Sequence, residues 1–505
     1  MSETPSLALP LVKGGGEFLT PSLLHPDDML KEYAHYDAVG LAQLVRGREV
    51  SPDELLEEAI VRVERVNPRV NALVNRLDDS ARAAIRAGLP DGALRGVPFL
   101  LKDLNALCAG SITSNGCRFF ADNLADHDTE LVARYKRGGA VIFGKTNTPE
   151  FGLTITTEPK LFGATRNPWN LEFTAGGSSG GAAAAVAAGI VPAAHASDGG
   201  GSIRIPASCC GLLGLKPTRG RNPQGPDRGE GWAGMSTEHV ITRSVRDSAA
   251  FLDMTCGPDA GAPYFAPPPA STFAAEVGRD PGRLRIAFSK HTPDGERISP
   301  ECEAALSEAA RVLEGAGHRL EEAALDFVPP ELGPAFRLVI AANIRMAIEN
   351  FAALQKRQPS ADQFERVTWM FYEAGGQASA VDYARAVAIL HRTGRLVAAF
   401  FQRYDLLLTP TLPREPERIG VFDMNAPDLE AYRKAVALFT SFTAPFNASG
   451  NPAISVPLYW SEKGMPIGIQ LAARYAEEAI LLRVAAQLEQ ARPWFDRRAP
   501  VNADA

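Results

Sequence analysis

Cysteine is scarce in this chain, with six in 505 residues and no CxxC pair among them. This argues against a disulfide scaffold and against a cysteine-based zinc site, and we expect reduced, mostly buried thiols. Positive charge is not in excess either, because 52 Lys and Arg residues are outnumbered by 59 Asp and Glu residues. Binding to a phosphate backbone requires clustered basic residues, so we expect no nucleic-acid partner.

Long hydrophobic runs are also missing. The nearest is Ala182–Ala196, which is too short to span a membrane and is interrupted by Gly189 and Pro192. We therefore expect a packed helix followed by a strand there, and no membrane association. Residues 1–18 lack the basic flank, long apolar core and cleavage site of a secretory signal. The expected location is the cytoplasm.

The chain does contain enough apolar residues for a large core, 45% hydrophobic against 22% charged. Ser51, Pro52 and Glu54 have the pattern of a helix cap, which predicts a helix that ends at about Val66. Short apolar runs alternate with helical stretches, as in a sheet covered by helices on both faces. The runs that predict strands are residues 97–101, 140–143, 284–288, 406–408, 454–458 and 467–471. The predicted fold class is α/β.

Composition also suggests how the chain is organised. Residues 1–36 mix glycine, proline and charge without apolar periodicity, and we interpret them as an N-terminal extension. The main domain is expected over residues 37–492, with a largely helical insertion at about 300–404, and residues 493–505 form a C-terminal tail. A proline-rich stretch at 258–281 is typical of a connecting loop.

Glycine and serine are concentrated in two stretches, residues 175–181 (AGGSSGG) and 197–206 (SDGGGSIRIP). Glycines let a ligand approach main-chain N–H groups closely, so residues 199–202 could donate to a developing oxyanion, as acyl transfer requires. A single loop of this kind often only turns the chain. Two such loops separated by one short helix favour the chemical interpretation.

A lysine, Lys102, ends the apolar run in residues 96–103 (GVPFLLKD). Burial disfavours the charged ammonium and lowers the lysine pKa, which lets a lysine act as a general base near neutral pH. The alternative interpretation is an ion pair between Lys102 and Asp103 at the end of the strand.

Taken together, the lysine stretch and the two serine-containing loops resemble the amidase signature family. The separation of Ser178 and Ser202 by 24 positions agrees with that family. Further stretches that match are residues 144–147 (GKTN), 164–169 (ATRNPW), 214–218 (GLKPT) and 465–470 (MPIGIQ). The resemblance spans about residues 37–492 and implies a single α/β/α unit around a mixed sheet. Residues 157–159 (TEP) and 445–450 (PFNASG) resemble in particular the branch that contains 6-aminohexanoate cyclic dimer hydrolase.

The resemblance implies an amidase that works through an acyl-enzyme. It assigns Ser202 as the nucleophile, Ser178, held by a cis peptide after Gly177, as the bridging serine, and Lys102 as the base. The implied oxyanion hole consists of Gly199, Gly200 and Gly201. The implied partner is a small amide-type substrate, which could be a linear or cyclic amide or a carbamate. No metal or organic cofactor is expected, and a homodimer is compatible with the sequence.

Four further polar residues flank these groups: Asp198, Arg204, Ser179 and Ser197. Asp198 and Arg204 are spaced so that they could pair and brace the second loop. Ser197 stands where the family usually has threonine, and Gly200 adds a third glycine. These departures concern the details of the oxyanion loop and remove no reactive group.

Other motifs compete with this interpretation. Residues 139–146 (GAVIFGKT) match the phosphate-loop pattern. Their apolar interior, residues 140–143, predicts a strand, whereas a phosphate loop needs a flexible glycine-rich loop there. Residues 176–180 (GGSSG) match a nucleophile elbow, which needs a preceding strand, and residues 170–175 make a poor strand. His195 and His239 could complete a Ser-His-Asp triad, although a histidine in an apolar stretch is more often structural.

An alternative function of a different class is an amidotransferase-type subunit or a non-catalytic scaffold. The presence of the lysine and both serines argues against this alternative.

The substrate pocket is harder to predict. Phe336, Trp369, Phe371 and Tyr372 have helical spacing, and such aromatics are more often core than pocket. If they do line a pocket, apolar or aryl amides are favoured.

Overall fold

The structure is a computed structural model that describes residues 32–504. Residues 1–31 of the expected N-terminal extension therefore lie outside the described residues. The described part of the chain contains fourteen α-helices: α1 (Ala38–Gly47), α2 (Pro52–Val70), α3 (Asp78–Ala87), α4 (Glu130–Arg137), α5 (Gly180–Ala187), α6 (Arg204–Cys210), α7 (Val245–Thr255), α8 (Pro300–Gly315), α9 (Leu332–Gln355), α10 (Arg366–Gln377), α11 (Ala380–Arg403), α12 (Leu429–Phe439), α13 (Ala444–Ser449) and α14 (Glu478–Ala491).

The same residues contain thirteen β-strands: β1 (Leu73–Arg76), β2 (Pro98–Lys102), β3 (Val141–Thr146), β4 (Arg166–Asn167), β5 (Asn170–Thr174), β6 (Ala193–Asp198), β7 (Leu213–Lys216), β8 (Thr237–Thr242), β9 (Arg285–Phe288), β10 (Arg319–Glu322), β11 (Leu406–Pro410), β12 (Ala453–Trp460) and β13 (Pro466–Ala473). Eleven of them form one mixed sheet in the order β1-β3-β2-β6-β8-β7-β12-β13-β11-β9-β10. Within it, β2 is parallel to β3 and β6, and β9 is parallel to β10 and β11. The strands β4 and β5 form a separate two-stranded sheet.

Strand β2 shows that helices cover both faces of the large sheet. All five of its residues are buried. Phe99 and Leu101 pack with residues of α1 and α4, whereas Leu100 packs with residues of α2 and α5. Successive side chains of a strand point to opposite faces, so the two helix groups lie on opposite sides. The predicted α/β fold with a central mixed sheet is confirmed.

Helix α2 begins as the sequence predicts. The Ser51 hydroxyl accepts from the backbone N–H of Glu54 at 3.2 Å, and the Glu54 carboxylate accepts from the backbone N–H of Ser51 at 2.7 Å. These reciprocal bonds satisfy N–H groups that the first helical turn leaves free. The helix ends at Val70, about one turn beyond the predicted end at Val66.

The six apolar runs all form strands, whose ends differ from the predicted ones by three residues at most. The expectation that residues 170–175 make a poor strand is wrong, because Asn170–Thr174 is β5. This strand is largely polar and pairs across a tight turn with β4, with Arg166 opposite Thr174. Local pairing therefore stabilises a strand that its composition does not indicate.

Helices dominate residues 300–404, which contain α8 to α11. The same region includes β10, which forms one edge of the large sheet beside β9. Helix α9 packs against both α10 and α11. The alanine-rich region forms α5 followed by β6, as predicted. No helix within residues 32–504 combines the length and apolar character needed to cross a membrane. All six cysteines are free thiols, and five of them are buried.

Candidate active site

The site lies where two parallel strands end. Neighbouring strands β2 and β6 are parallel, so their carboxyl ends meet at one edge of the sheet, where α/β folds usually bind ligands. Lys102 ends β2, and Asp198 ends β6 just before the loop to α6. Residues two apart in a strand share a face, so Lys102 points to the same side as Leu100, towards α5.

The amine of Lys102 is surrounded by serine hydroxyls. Its Nζ lies 2.7 Å from Ser178 Oγ and 2.9 Å from the Oγ atoms of Ser179 and Ser197. Ser179 Oγ in turn donates to the backbone carbonyl of Ser197 at 3.2 Å. The structure thus brings together four of the residues predicted from the sequence.

Burial controls the ionisation of Lys102. Its side chain has no solvent exposure, and this desolvation lowers its pKa to about 7, although the negative charges of Glu238 and Asp198 oppose the shift. A large fraction of the amine is therefore neutral at physiological pH, as a general base requires.

The alternative pairing of Lys102 with Asp103 is not formed. The Asp103 carboxylate accepts from the backbone N–H of Ser114 at 3.1 Å and from the Ser114 hydroxyl. Burial raises the pKa of Asp103 to about 6, with the charge of Lys145 acting in the opposite direction. Asp103 thus belongs to a separate cluster on the opposite face of β2.

Ser178 lies against Gly152, a residue of the wall of a large cavity. The Gly177–Ser178 peptide bond is cis. Gly152 lines the cavity with a positive φ of 69°, and a Cβ on it would lie 2.9 Å from Ser178 Oγ. Only glycine leaves room for the hydroxyl at this point, so the buried Ser178 lies directly behind the cavity wall.

Asp198 shapes the loop that carries Ser202. Its carboxylate accepts from the backbone N–H of Gly201 at 2.7 Å and from that of Ile203 at 3.2 Å. Ser202 lies between these two anchored residues, is partly exposed and lines the cavity. The hydrogen bonds found within residues 32–504 do not include one between Ser202 and Ser178.

The three glycines predicted for the oxyanion hole are not equivalent. Because the N–H of Gly201 donates to Asp198, it is already engaged. Gly200 lines the cavity, and its carbonyl accepts from Thr443 Oγ1 at 2.7 Å. Gly199 and Gly200 are therefore the better candidates of the three for N–H groups that could bind an oxyanion.

Asp198 and Arg204 form a bidentate, fully buried ion pair. Arg204 Nε and Nη2 lie 2.9 Å from the two carboxylate oxygens. Burial alone would raise the pKa of Asp198, but Arg204 lowers it to about 2. Arg204 also donates to Asn447 Oδ1 and to Gln470 Oε1, both at 2.8 Å. Asp198 is therefore ionised at neutral pH and fixes the loop.

Sequence reasoning assigned no role to Asn447 or Gln470. Both lie in stretches that carry the family resemblance, so their positions were visible although their contacts were not. Asn447 Nδ2 donates to the backbone carbonyl of Asp198 at 2.9 Å, which ties α13 to the end of β6.

The two histidines have structural partners. His195 Nδ1 accepts from the backbone N–H of Lys102 at 3.2 Å, and its Nε2 lies 3.3 Å from Glu238. His239 Nε2 lies 3.1 Å from Ser248 Oγ, and burial lowers the pKa of His239 to about 3. Neither histidine bonds to Ser202 within the described residues, so a Ser-His-Asp triad is not supported.

The phosphate-loop motif is not a phosphate site. Residues 141–146 form β3, which confirms the predicted strand inside the motif and contradicts a phosphate loop, and Lys145 is fully buried. Its amine donates to the backbone carbonyl of Ala106 at 3.3 Å and to the Thr113 hydroxyl. The residues of the motif therefore form a strand of the large sheet and include one buried lysine.

A cavity of about 590 Å³ opens beside Ser202, within the range of small-molecule sites. Its walls are mostly apolar. Of the four aromatics considered from the sequence, Phe336 and Phe371 line it. Trp369 and Tyr372 instead stack on each other, with ring centroids 4.8 Å apart, in a neighbouring apolar cluster. Across residues 32–504, no group of three or more His, Cys, Asp or Glu side chains is arranged to hold a metal ion.

Comparison with known proteins agrees with this geometry. The Amidase family model matches residues 54–482. The chain is 41% identical over 478 residues to the 6-aminohexanoate-cyclic-dimer hydrolase of Paenarthrobacter ureafaciens, covering 92% of this chain and 96% of that protein.

Solved structures give the same result. A structure of 6-aminohexanoate cyclic dimer hydrolase matches with a TM-score of 0.89 at 40% identity, over 92% of this chain and 99% of that one. A bacterial aryl acylamidase belonging to the amidase signature enzymes matches with a TM-score of 0.83 at 28% identity, over 91% and 96%. The resemblance to the cyclic dimer hydrolase branch is confirmed, and the chain is an enzyme of the amidase signature family.

Proposed function

We propose that the protein hydrolyses the carbon–nitrogen bond of amides, with Ser202 as the nucleophile and with Ser178 and Lys102 carrying its proton. The observation that carries this proposal is the fully buried Lys102 amine, 2.7 Å from Ser178 Oγ, which lies against Gly152 in the wall of the cavity that Ser202 also lines. Such an arrangement of base, relay and nucleophile is typical of covalent catalysis.

The hydrogen bonds around Lys102 support a direction for proton transfer. A neutral amine has two N–H groups and one lone pair. The Ser179 hydroxyl donates its proton to the backbone carbonyl of Ser197. Ser179 Oγ therefore accepts a hydrogen bond from one N–H of the Lys102 amine, and Ser197 Oγ accepts a hydrogen bond from the other. The lone pair is then free for the hydroxyl of Ser178. Ser178 can therefore give its proton to Lys102 and take one from Ser202.

In the acylation step, Ser202 Oγ attacks the amide carbon while its proton passes through Ser178 to Lys102. The N–H groups of Gly199 and Gly200 stabilise the tetrahedral oxyanion, and loss of one such donor costs about 3–4 kcal/mol in comparable sites. The proton returns along the same path to the leaving amine. Water then attacks the acyl-enzyme ester and gives its proton through Ser178 to Lys102. The bond between the acyl carbon and Ser202 Oγ breaks, the carboxylic acid leaves, and the proton returns through Ser178 to Ser202.

The cavity indicates the general type of substrate. Its volume and its largely apolar walls, which include Phe336 and Phe371, suit an amide with an aliphatic, cyclic or aromatic body. The relative from Paenarthrobacter ureafaciens is named for a cyclic dimer of 6-aminohexanoate. Cyclic and linear aliphatic amides are therefore the first compounds to assay.

The intact mass of the protein after treatment with a serine-directed fluorophosphonate tests the nucleophile. We expect one adduct on the wild type, none on Ser202→Ala, and one on Ser441→Ala. Ser441 is a matched control, because its hydroxyl is buried and it also lines the cavity. An adduct that persists in Ser202→Ala moves the nucleophile elsewhere, with Ser178 the next candidate. Absence of any adduct contradicts an activated serine.

A further inference from the structure

The cavity walls carry three charged side chains among the described residues: Asp294, Arg337 and Arg433. The surrounding walls are mostly apolar. A charge in such surroundings is unfavourable unless an opposite charge or water compensates it. The partners of these three residues therefore show which charge is left for a ligand.

Two of the three charges are compensated. Arg433 Nε donates to Glu430 Oε2 at 2.7 Å, and this pair is open to solvent. Asp294 is exposed, so its carboxylate is accessible to solvent. Neither residue needs a bound ligand to compensate its charge.

Arg337 differs from both. It is half-buried on α9 and makes no hydrogen bond or ion pair with any residue in the range 32–504. Its Nη1 lies 3.4 Å from where a Cβ would stand on Gly333, another residue of the cavity wall, so the guanidinium lies at that wall. Burial, and next the like charge of Arg433, lower the pKa of Arg337, while the negative charge of Glu430, which makes no direct ion pair with Arg337, acts in the opposite direction.

Arg337 is also close to the catalytic loop in the fold. The adjacent residue, Phe336, has a ring atom 3.6 Å from where a Cβ would stand on Gly200, two residues before Ser202. Both side chains line the same cavity as Ser202. A molecule whose amide lies at Ser202 can therefore extend along α9 to the guanidinium.

We propose that Arg337 binds a carboxylate of the substrate, so that the preferred substrates are amides that carry a carboxylate on the part lying along α9. This inference rests on the proposed amide hydrolysis and narrows its substrate class. A guanidinium presents a planar fork of donors that matches the two oxygens of a carboxylate. A single carboxylate in direct contact would balance the guanidinium charge, which has no ion-pair partner among the described residues, and a neutral cyclic amide is expected to bind less well.

Binding to the Ser202→Ala variant tests the recognition separately from turnover. The ligands are the monoamides of succinic, adipic and suberic acid, each paired with its uncharged diamide, and affinity is measured by titration calorimetry. We expect at least one monoamide to bind about tenfold or more tightly than its diamide, because a site built for a polar group rejects an analogue that lacks it. In Ser202→Ala/Arg337→Gln, this ratio should fall to about two or less.

Two further variants control the experiment. Arg345→Gln removes a guanidinium of the same helix that pairs with Glu349 at 2.8 Å and does not line the cavity, so the monoamide preference should persist. Arg337→Lys keeps the charge without the planar fork, and the ratio should take an intermediate value.

Equal binding in all three pairs, or a preference that survives Arg337→Gln, overturns the carboxylate inference. Ammonia release by the wild-type enzyme from the same six compounds reports on the proposed function independently. If the monoamides bind through Arg337 and none is hydrolysed, amide hydrolysis fails and the recognition of a carboxylate stands.

Discussion

Lys102 is the residue whose protonation state should set the pH dependence of the reaction. Its buried amine has a pKa lowered to about 7, and only the neutral form can accept the serine proton. We expect kcat/KM for an amide to rise as pH increases through about 7 and to level off above it. At one pH unit below this pKa, about one tenth of the plateau should remain.

A pH–rate profile between pH 5 and 9 checks this expectation. A profile without an acid limb near pH 7 contradicts Lys102 as the base. Lys102→Met, which keeps a side chain of similar length without a basic group, should lose turnover at every pH in that range.

The neighbouring serines Ser178 and Ser179 offer a matched pair of variants. Both hydroxyls contact the Lys102 amine, but the proton of Ser179 is used by the Ser197 carbonyl. We expect Ser178→Ala to lower kcat/KM by about 10³-fold or more, and Ser179→Ala to lower it much less. Steady-state kinetics measure the loss of kcat/KM in each variant. An equal or larger loss in Ser179→Ala refutes the assignment of Ser178 as the relay.

At the residue scale, sequence motifs predicted the side chains proposed to take part in the reaction. Lys102, Ser178 and Ser202 each lie in a short stretch whose composition suggests chemistry. The contacts of Arg204 with Asn447 and Gln470 could not be predicted, because these residues are 243 and 266 positions away along the chain. Residue spacing carries no information about partners at that distance.

Among the elements, α10 contributes aromatic side chains of two kinds. Phe371 lines the cavity, whereas Trp369 stacks on Tyr372 away from it. We expect Phe371→Ala to change the order of kcat/KM across linear amides of increasing length in favour of the longer ones. Trp369→Ala should keep that order and lower the free energy of unfolding by about 0.5–3 kcal/mol.

Kinetics on the amide series and denaturant unfolding of both variants provide the check. If Trp369→Ala reorders the substrates and Phe371→Ala does not, the cavity wall has been wrongly assigned.

Periodicity predicted the positions of elements better than their extent. Buried strands such as β2 and β11 begin with continuous apolar runs, so the sequence shows them directly. The polar strand β5 depends on its pairing with β4, and α2 continues past the point where its apolar pattern weakens. Both differences arise because tertiary and local pairing add to intrinsic propensity.

At the level of the whole molecule, Arg204 connects distant parts of the chain. It joins the catalytic loop to α13 through Asn447 and to β13 through Gln470. Arg204→Met would leave the Asp198 carboxylate buried without its partner. We expect a loss of about 3–5 kcal/mol in the free energy of unfolding, which urea denaturation measures.

Arg418→Met is the control for this loss. Arg418 pairs with Glu172, but the two side chains are 63% and 66% exposed. Exposed pairs contribute about 0–1 kcal/mol, so this variant should unfold almost as the wild type does. Equal losses in the two variants would show that the buried pair has no special role in stability.

The order of strands in the large sheet could not be predicted from the sequence. Strand β6 pairs with β2 and β8, and β12 pairs with β7 and β13, so neighbours in space are often distant in the chain. The six apolar runs in the sequence predicted that helices cover both faces of the sheet, whereas the largely polar strands β8 and β10 gave no such signal. The domain boundaries, the cytoplasmic location and the homodimer stay predictions.

The cavity is assembled from parts of the chain that do different work. Lys102, Ser178 and Ser202 all come from the first half, whereas much of the cavity wall, from Val328 to Pro445, comes from the second. Inherited changes in the second half can therefore alter which molecules are accepted while the bond-breaking groups stay as they are. This division identifies the second half of the chain as the region in which laboratory evolution should introduce diversity.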